Sequence, residues 1–222
     1  MNREIVQTND SSSTLYVPGL EQHYHSMHGA MQESMHVFID AGFRLFESAD
    51  KPVHILEIGL GTALNALLTY FEAKKLNLKV DYTALEKYPL SMDEMLLLNY
   101  GSLLDTKEAK RILTDLHQIK WEEKIAVTDF FSLRKFETDI KIYSAKEEYD
   151  LIYFDAFAPS AQPDLWTLEV FEHMYASLKP GGTLVTYCVK GDVRRTMKAA
   201  GFEVEKIPGP PGKREMARAR KA

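Results

Sequence analysis

Val53-His-Ile-Leu-Glu-Ile-Gly-Leu-Gly-Thr62 is the stretch whose reading decides the fold. Its first six residues, Val53 to Ile58, are rich in branched aliphatics and read as a buried strand. Gly59 and Gly61 follow at once, and a helical run from Ala63 to about Lys75 takes over. A strand that passes through glycines into a helix is the opening unit of an α/β sheet. The glycines let the backbone approach a ligand in the crevice beyond the strand's carboxyl end. The pattern is not the dinucleotide fingerprint G-x-G-x-x-G, because Leu64 stands where the third glycine belongs. Nor is it a P-loop, because no Gly-Lys-Ser/Thr follows.

Downstream, strands and helices keep alternating, as a parallel sheet with crossover helices requires. Val80–Leu85 reads as a second strand, with helical material from about Pro89 and again from Thr106 to Ile119. Lys124–Thr128 reads as a third strand and Tyr149–Phe154 as a fourth. Pro163 suits the first turn of a helix running to about Leu178. Thr183–Val189 is a fifth strand, Asp192–Ala200 a helix and Phe202–Lys206 a sixth strand. Pro208-Gly-Pro-Pro-Gly212 forces a turn, after which Glu215–Arg220 returns as a seventh. Residues 51–222 are therefore expected to form one α/β domain, a Rossmann-like seven-stranded, mostly parallel sheet. Residues 1–50 differ and form an N-terminal extension: a turn at Asn9–Ser13, a strand at Thr14–Val17, and a helix from about Gly29 to Glu47.

The 222 residues suffice for a sizeable core, and a net charge of -5 excludes a generic nucleic-acid binder. The charge is uneven, because Lys213, Arg214, Arg218, Arg220 and Lys221 face only Glu215 after Pro208. That end is either a basic landing site or a solvated tail. Cys188 is the single cysteine, so neither an internal disulfide nor a cysteine-based zinc site is expected. A polar start without an apolar stretch gives no signal peptide, and no segment has the apolar length of a membrane span; a cytoplasmic protein is expected.

Carboxylates stand at successive strand ends. Glu86 closes the second strand, where an acidic group can accept hydrogen bonds from both ribose hydroxyls of a nucleoside. Asp129 closes the third, where it either accepts from an adenine amine or caps the next helix. Asp155 closes the fourth, in Phe154-Asp-Ala-Phe-Ala-Pro-Ser-Ala-Gln-Pro-Asp-Leu-Trp166. A carboxylate there can hold and deprotonate an amine, with Phe157 and a proline-stiffened loop shaping a pocket for a flat base. A structural aspartate at the edge of the core is the alternative.

The segments Glu57–Asn65, Leu85–Leu90, Thr128-Asp129, Asp155–Trp166, Arg194-Arg195 with Ala200-Gly-Phe202, and Gly212-Lys-Arg-Glu-Met216 closely resemble one family. It is the methyltransferase domain of the bacterial tRNA wobble-uridine modification enzymes of the MnmC type, which also occurs alone as MnmD. The resemblance implies a class I S-adenosylmethionine-dependent methyltransferase fold, with S-adenosyl-L-methionine as cofactor. It implies methylation of the amine of 5-aminomethyl-2-thiouridine at tRNA position 34, in the anticodon stem-loop. On that analogy the cofactor-binding residues are Glu57, Gly59, Gly61, Asn65, Glu86, Asp129, Asp155 and Phe157. Asp155 is the catalytic residue, and Phe157, Trp166, Lys213 and Arg214 face substrate or RNA. The N-terminal extension, with Gly19-Leu20 and Glu33–Phe38, packs over the cofactor. Ala63 departs from the fused enzyme's loop, which has a third glycine there.

The oxidase half of the fused enzyme is expected to be absent, leaving other enzymes to make the 5-aminomethyl group. His23, His25 and His28 have a metal-like spacing, but the chemistry needs no metal and none is expected. A monomer or homodimer is expected. An aminopropyltransferase of the spermidine-synthase type and a non-catalytic RNA-binding protein that keeps the fold remain alternatives.

Overall fold

The computed structural model describes residues 1–104 and 106–222. The chain opens with three short antiparallel strands, β1 (Glu4–Gln7), β2 (Ser13–Val17) and β3 (Gln22–His23). Asp10 organises the turn between the first two. Its carboxylate accepts from Ser12 N at 3.0 Å and from Gln32 N at 3.1 Å, which ties the turn to the helix that follows. The expected single helix from Gly29 to Glu47 is instead three pieces. They are α1 (Ala30–Ser34), a widened helical stretch over Met35–Asp40, and a 3-10 turn over Phe43–Phe46. Gly42 separates the last two, and a β-carbon there would lie 2.6 Å from Phe38 O. Val37, Phe38 and Ile39 are all buried, three in a row, which an amphipathic surface helix would not produce.

The main sheet begins with β4 (Val53–Ile58), followed by α2 (Leu64–Leu76) and β5 (Val80–Glu86). Next come α3 (Met92–Leu96), α4 (Tyr100–Leu103), α5 (Lys107–Gln118), β6 (Lys124–Ala126) and β7 (Phe131–Glu137). The remainder is β8 (Tyr149–Phe154), α6 (Leu168–Ser177), β9 (Leu178–Thr186), α7 (Gly191–Ala199), β10 (Glu203–Pro208) and β11 (Glu215–Arg220). The strand order is β10-β11-β9-β8-β4-β5-β7-β6. Strands β4, β5, β7, β8 and β9 run parallel, while β11 is antiparallel to both its neighbours. Seven of these strands form the expected doubly wound arrangement, and β6 adds a short antiparallel eighth at the edge.

The third parallel strand lies later than the sequence suggests. Lys124–Ala126 forms only the first arm of a hairpin, and Phe131–Glu137 is the strand that pairs with β5, Val80 opposite Phe131 and Glu86 opposite Glu137. The helix expected from Pro163 is likewise divided. A 3-10 turn covers Pro163–Leu165, and α6 starts afresh where the Thr167 side chain accepts from Val170 N.

The extension and the sheet share one core. The Phe38 ring lies 5.1 Å from that of Tyr153 on β8, and Tyr153 packs in turn on Tyr82 of β5. Helix α2 is buried on nearly every side because the extension covers the face that an ordinary crossover helix shows to water. Among the described residues no helix is long and apolar enough to cross a membrane.

Candidate active site

A cavity of about 520 Å³ opens at the carboxyl ends of β4, β5 and β8, within the size range of small-molecule sites. Its floor is the loop from Gly59 to Thr62. Gly59 has φ +85° and Gly61 φ +50°, in the left-handed region that favours glycine. A β-carbon on Gly59 would meet the Asp155 carbonyl oxygen at 3.0 Å, and one on Gly61 the Tyr24 ring at 3.1 Å. Ala63 is left-handed as well, at φ 59°, and is fully buried. A single methyl is thus accommodated where the resemblance leads one to expect glycine.

Glu86 holds this loop from the next strand. Its Oε2 accepts from Gly61 N at 2.9 Å and its Oε1 from Tyr88 N at 2.7 Å, which leaves the remaining lone pairs at the cavity rim. Asp155 stands across the loop at the end of β8, anchored by its own N–H donating to Ile58 O at 3.1 Å. Asn65, on the first turn of α2, donates from Nδ2 to Asp155 Oδ2 and to Glu57 Oε1, both at 2.9 Å. Enclosure by protein pushes the Asp155 carboxyl up to about 7; the charge of Glu33 adds to this, and the Asn65 hydrogen bond and Lys213 oppose it.

The roof comes from the N-terminal extension. Residues His23 to Met27 line the cavity, with the Tyr24 ring set edge-on to Phe157 at 5.0 Å. Tyr24 Oη accepts from Arg3 Nε at 2.8 Å, and Arg3 grips both oxygens of Glu94 at 3.1 and 3.2 Å. The residue that leads into β1 is thereby pinned to α3. His25 pairs with Thr14 Oγ1 at 3.0 Å, and burial drives its pKa down to about 4. It therefore packs as a neutral ring.

The structure brings Gly59, Gly61, Asn65, Glu86, Asp155, Phe157 and Lys213 to this one cavity. Four expectations need correction. Asp129 is exposed in the β6–β7 hairpin turn, beside the start of β5 and so at the opposite end of the sheet. Phe130 beside it packs on Tyr70 at 5.1 Å, away from the cavity. Glu57 is completely buried beneath the floor and does not line the cavity. Burial, above all, holds its carboxyl well above the usual range, and its Oε1 supports Asn65 from below. Trp166 is 5 % exposed and braces the pocket loop from behind, its Nε1 donating to Phe157 O at 2.8 Å.

The basic carboxyl end is the fourth correction. Strand β11 is part of the sheet, and Arg218 pairs with Glu205 at 2.5 Å. Lys221 turns inward to donate to Leu178 O at 2.8 Å. Lys213 faces the cavity, while Arg214 beside it is exposed.

Residues that sequence reading missed include Thr138, Asp139 and Ile140, which line the cavity just past β7. Tyr24 and Tyr187 also line it, as does Glu33 of the segment expected to cover the cofactor. Asp139 was recoverable only by placing β7 correctly. That strand is disguised by Lys135, which is 1 % exposed, donates to His117 O at 2.7 Å and lies 4.6 Å from the Trp121 ring. A lysine at an inward position breaks the alternating pattern that would announce the strand.

Residues 106–222 match the family model described as S-adenosyl-L-methionine-dependent methyltransferase. The chain belongs to that family. Among curated relatives, the tRNA 5-methylaminomethyl-2-thiouridine biosynthesis bifunctional protein MnmC of Cupriavidus metallidurans is 32% identical, covering 98% of this chain and 34% of its own length. The protein of the same name from Leptospira interrogans is 31% identical over 87% of this chain and 31% of itself. The methyltransferase chain thus spans about a third of the length of these relatives. The crystal structure of MNMC2 from Aquifex aeolicus superposes with a TM-score of 0.79 at 25% identity, covering 98% of this chain and 70% of that one. Spermidine synthase from Thermotoga maritima shares the fold, with a TM-score of 0.56 at 14% identity over 100% of this chain and 73% of its own. The glycine cradle and the rim carboxylate of this methyltransferase suit S-adenosylmethionine, the family's cofactor.

Proposed function

We propose that this methyltransferase methylates the primary amine of 5-aminomethyl-2-thiouridine at the wobble position of tRNA, a cytoplasmic substrate made by other enzymes. The observation that carries the reading is Asp155, a carboxylate held by Asn65 between the glycine loop and Phe157. The names of the relatives supply the substrate class.

Gly59, Gly61 and Asn65 border the methionine part of the cofactor, and Glu86 takes the ribose hydroxyls. Asp139 and Ile140, not Asp129, adjoin the adenine. S-adenosylmethionine supplies an electrophilic methyl group when bound. Asp155 orients the amine's lone pair and accepts the proton that the methylated nitrogen releases. Phe157 lies against the flat base, and Tyr24 and the rest of the roof exclude water.

The deciding experiment incubates the protein and S-adenosylmethionine with tRNA carrying the 5-aminomethyl group, followed by mass spectrometry of the nucleosides. Conversion to the 5-methylaminomethyl form is expected. No conversion, or transfer only of an aminopropyl group from decarboxylated cofactor, would sink the reading.

Two further outcomes follow. Glu86→Ala removes an acceptor for the cofactor and the anchor of Gly61, and should weaken S-adenosylmethionine binding by about 1.5–3 kcal/mol, measured by calorimetry. The RNA backbone is placed on exposed cations flanking Tyr187 and Lys213, namely Lys190 and Arg214. Lys190→Ala/Arg214→Ala should make the salt slope of tRNA binding shallower by about 1.4, at ~0.7 per phosphate contact on a single strand. An unchanged slope in filter binding would move the landing site elsewhere.

A further inference from the structure

Two charged side chains from opposite ends of the chain meet in the cavity wall near Asp155. Glu33 comes from α1 and is buried, while Lys213 comes from the turn between β10 and β11. Lys213 Nζ donates to Glu33 Oε1 at 2.5 Å and lies 4.0 Å from the centroid of the Tyr187 ring. Glu33 Oε2 accepts from Ser26 N at 2.7 Å, so both ends of the pair are fixed. Tyr187 Oη donates to Ala156 O at 2.8 Å, which ties the platform under Lys213 to the backbone beside Asp155. The two segments are joined a second time where His36 Nε2 meets Pro208 O at 2.9 Å. An ion pair with its carboxylate buried and its ammonium partly exposed is a poor way to gain stability, because desolvation of the carboxylate offsets much of the attraction. Its place in the cavity wall gives it another use.

We propose that Glu33 and Lys213 are positioning residues for the methyl acceptor, a carboxylate and an ammonium that act on Asp155 with opposite sign and set how readily it takes the amine's proton. The proposal rests on the amine-methyltransferase reading. In the step concerned, the amine's lone pair forms the new nitrogen–methyl bond as the sulfur–methyl bond breaks. The secondary ammonium so formed then passes one proton to Asp155, which releases it to solvent.

Among the described residues, the other groups facing Asp155 are few. Glu57 lies below it on β4, Tyr82 beside it on β5, and Tyr187 just past β9. Burial holds Glu57, Tyr82 and Tyr187 above their ordinary values, which keeps both tyrosines uncharged near neutrality and favours the protonated form of Glu57. The Glu86 carboxylate at the rim is occupied by two backbone N–H groups. Glu33 raises the proton affinity of Asp155, and Lys213 lowers it.

The test is a carbon-13 NMR titration of the Asp155 carboxyl in the unliganded protein, assigned by its loss in Asp155→Asn. The midpoint should fall by about one pH unit in Glu33→Gln and rise by about one in Lys213→Met, the scale of a single charge at close range. Lys213→Arg should restore the original midpoint. The acid limb of kcat/KM on 5-aminomethyl tRNA should move with each midpoint. A merely structural role would move both variants the same way or neither, and either result overturns the proposal. Glu33→Gln is isosteric and keeps the Ser26 contact, so a midpoint that does not fall in that variant overturns it alone. Midpoints that split as expected in a protein that methylates no 5-aminomethyl group uphold the pairing and overturn only the amine reading.

Discussion

Asp155→Asn is expected to lower turnover by roughly 10²–10⁴-fold while leaving the fold and cofactor binding near normal. Asparagine has the shape of aspartate, and its Oδ1 can still accept from Asn65, so the floor of the cavity should stay in place. What disappears is the group that accepts the proton. An amine with a lysine-like pKa near ~10.4 must be held neutral to attack, at a cost of about 4–5 kcal/mol at pH 7. A carboxylate that orients the lone pair and removes the proton afterwards therefore matters more here than at an uncharged nucleophile. The pH dependence should show it. Burial places the Asp155 carboxyl at about 7, so the ionised form predominates above that pH and is lost below it. Wild-type kcat/KM should accordingly fall as the pH drops through about 7, and the residual activity of Asp155→Asn should lack that limb. A variant with wild-type turnover at neutral pH would remove Asp155 from the chemistry.

How much of this site the sequence discloses depends on how local each signal is. Gly59, Gly61, Glu86 and Asp155 are legible because each sits within a residue or three of a strand's carboxyl end, and parallel strands bring those ends together. Nothing more than strand order is needed to place them around one crevice. Asp139 is hidden by one residue. Lys135 occupies an inward position, so Phe131–Glu137 does not read as a strand, and the apolar Lys124–Thr128 segment takes its place with Asp129 at the wrong end. Tyr24, and the pairing of Glu33 with Lys213, are illegible for a different reason. They reach the cavity only after the extension has packed its Phe38 face on the sheet and the β10–β11 turn has met it from the far edge. Side chains assembled from both chain ends leave no spacing to read. The excess of cations after Pro208 misleads in the same way, because strand pairing sets Arg218 against Glu205 and Lys206 against Glu215. A linear charge count does not see a partner across a hairpin.

Trp166 separates a brace from a contact. As a residue that touches RNA it would be dispensable to folding, and its loss would weaken tRNA binding alone. In the structure its ring packs against Phe154 and Phe171, with centroids 5.0 and 6.2 Å away, and its indole N–H holds Phe157 O from behind. Trp166→Ala should therefore cost about 3–5 kcal/mol of stability, the usual range for emptying a buried aromatic site. Trp166→Phe keeps a ring in that cluster and deletes the donor. It should cost less than Trp166→Ala but more than the ~0.5–1.5 kcal/mol of the hydrogen bond, because the smaller ring leaves a gap. The loop from Phe157 to Leu165 then loses the hydrogen bond that closes its two ends, so KM for tRNA should rise in Trp166→Phe while S-adenosylmethionine affinity holds. Urea unfolding and calorimetry on both variants check the two halves separately. Unchanged stability in Trp166→Ala together with weakened tRNA binding would return the residue to the RNA surface.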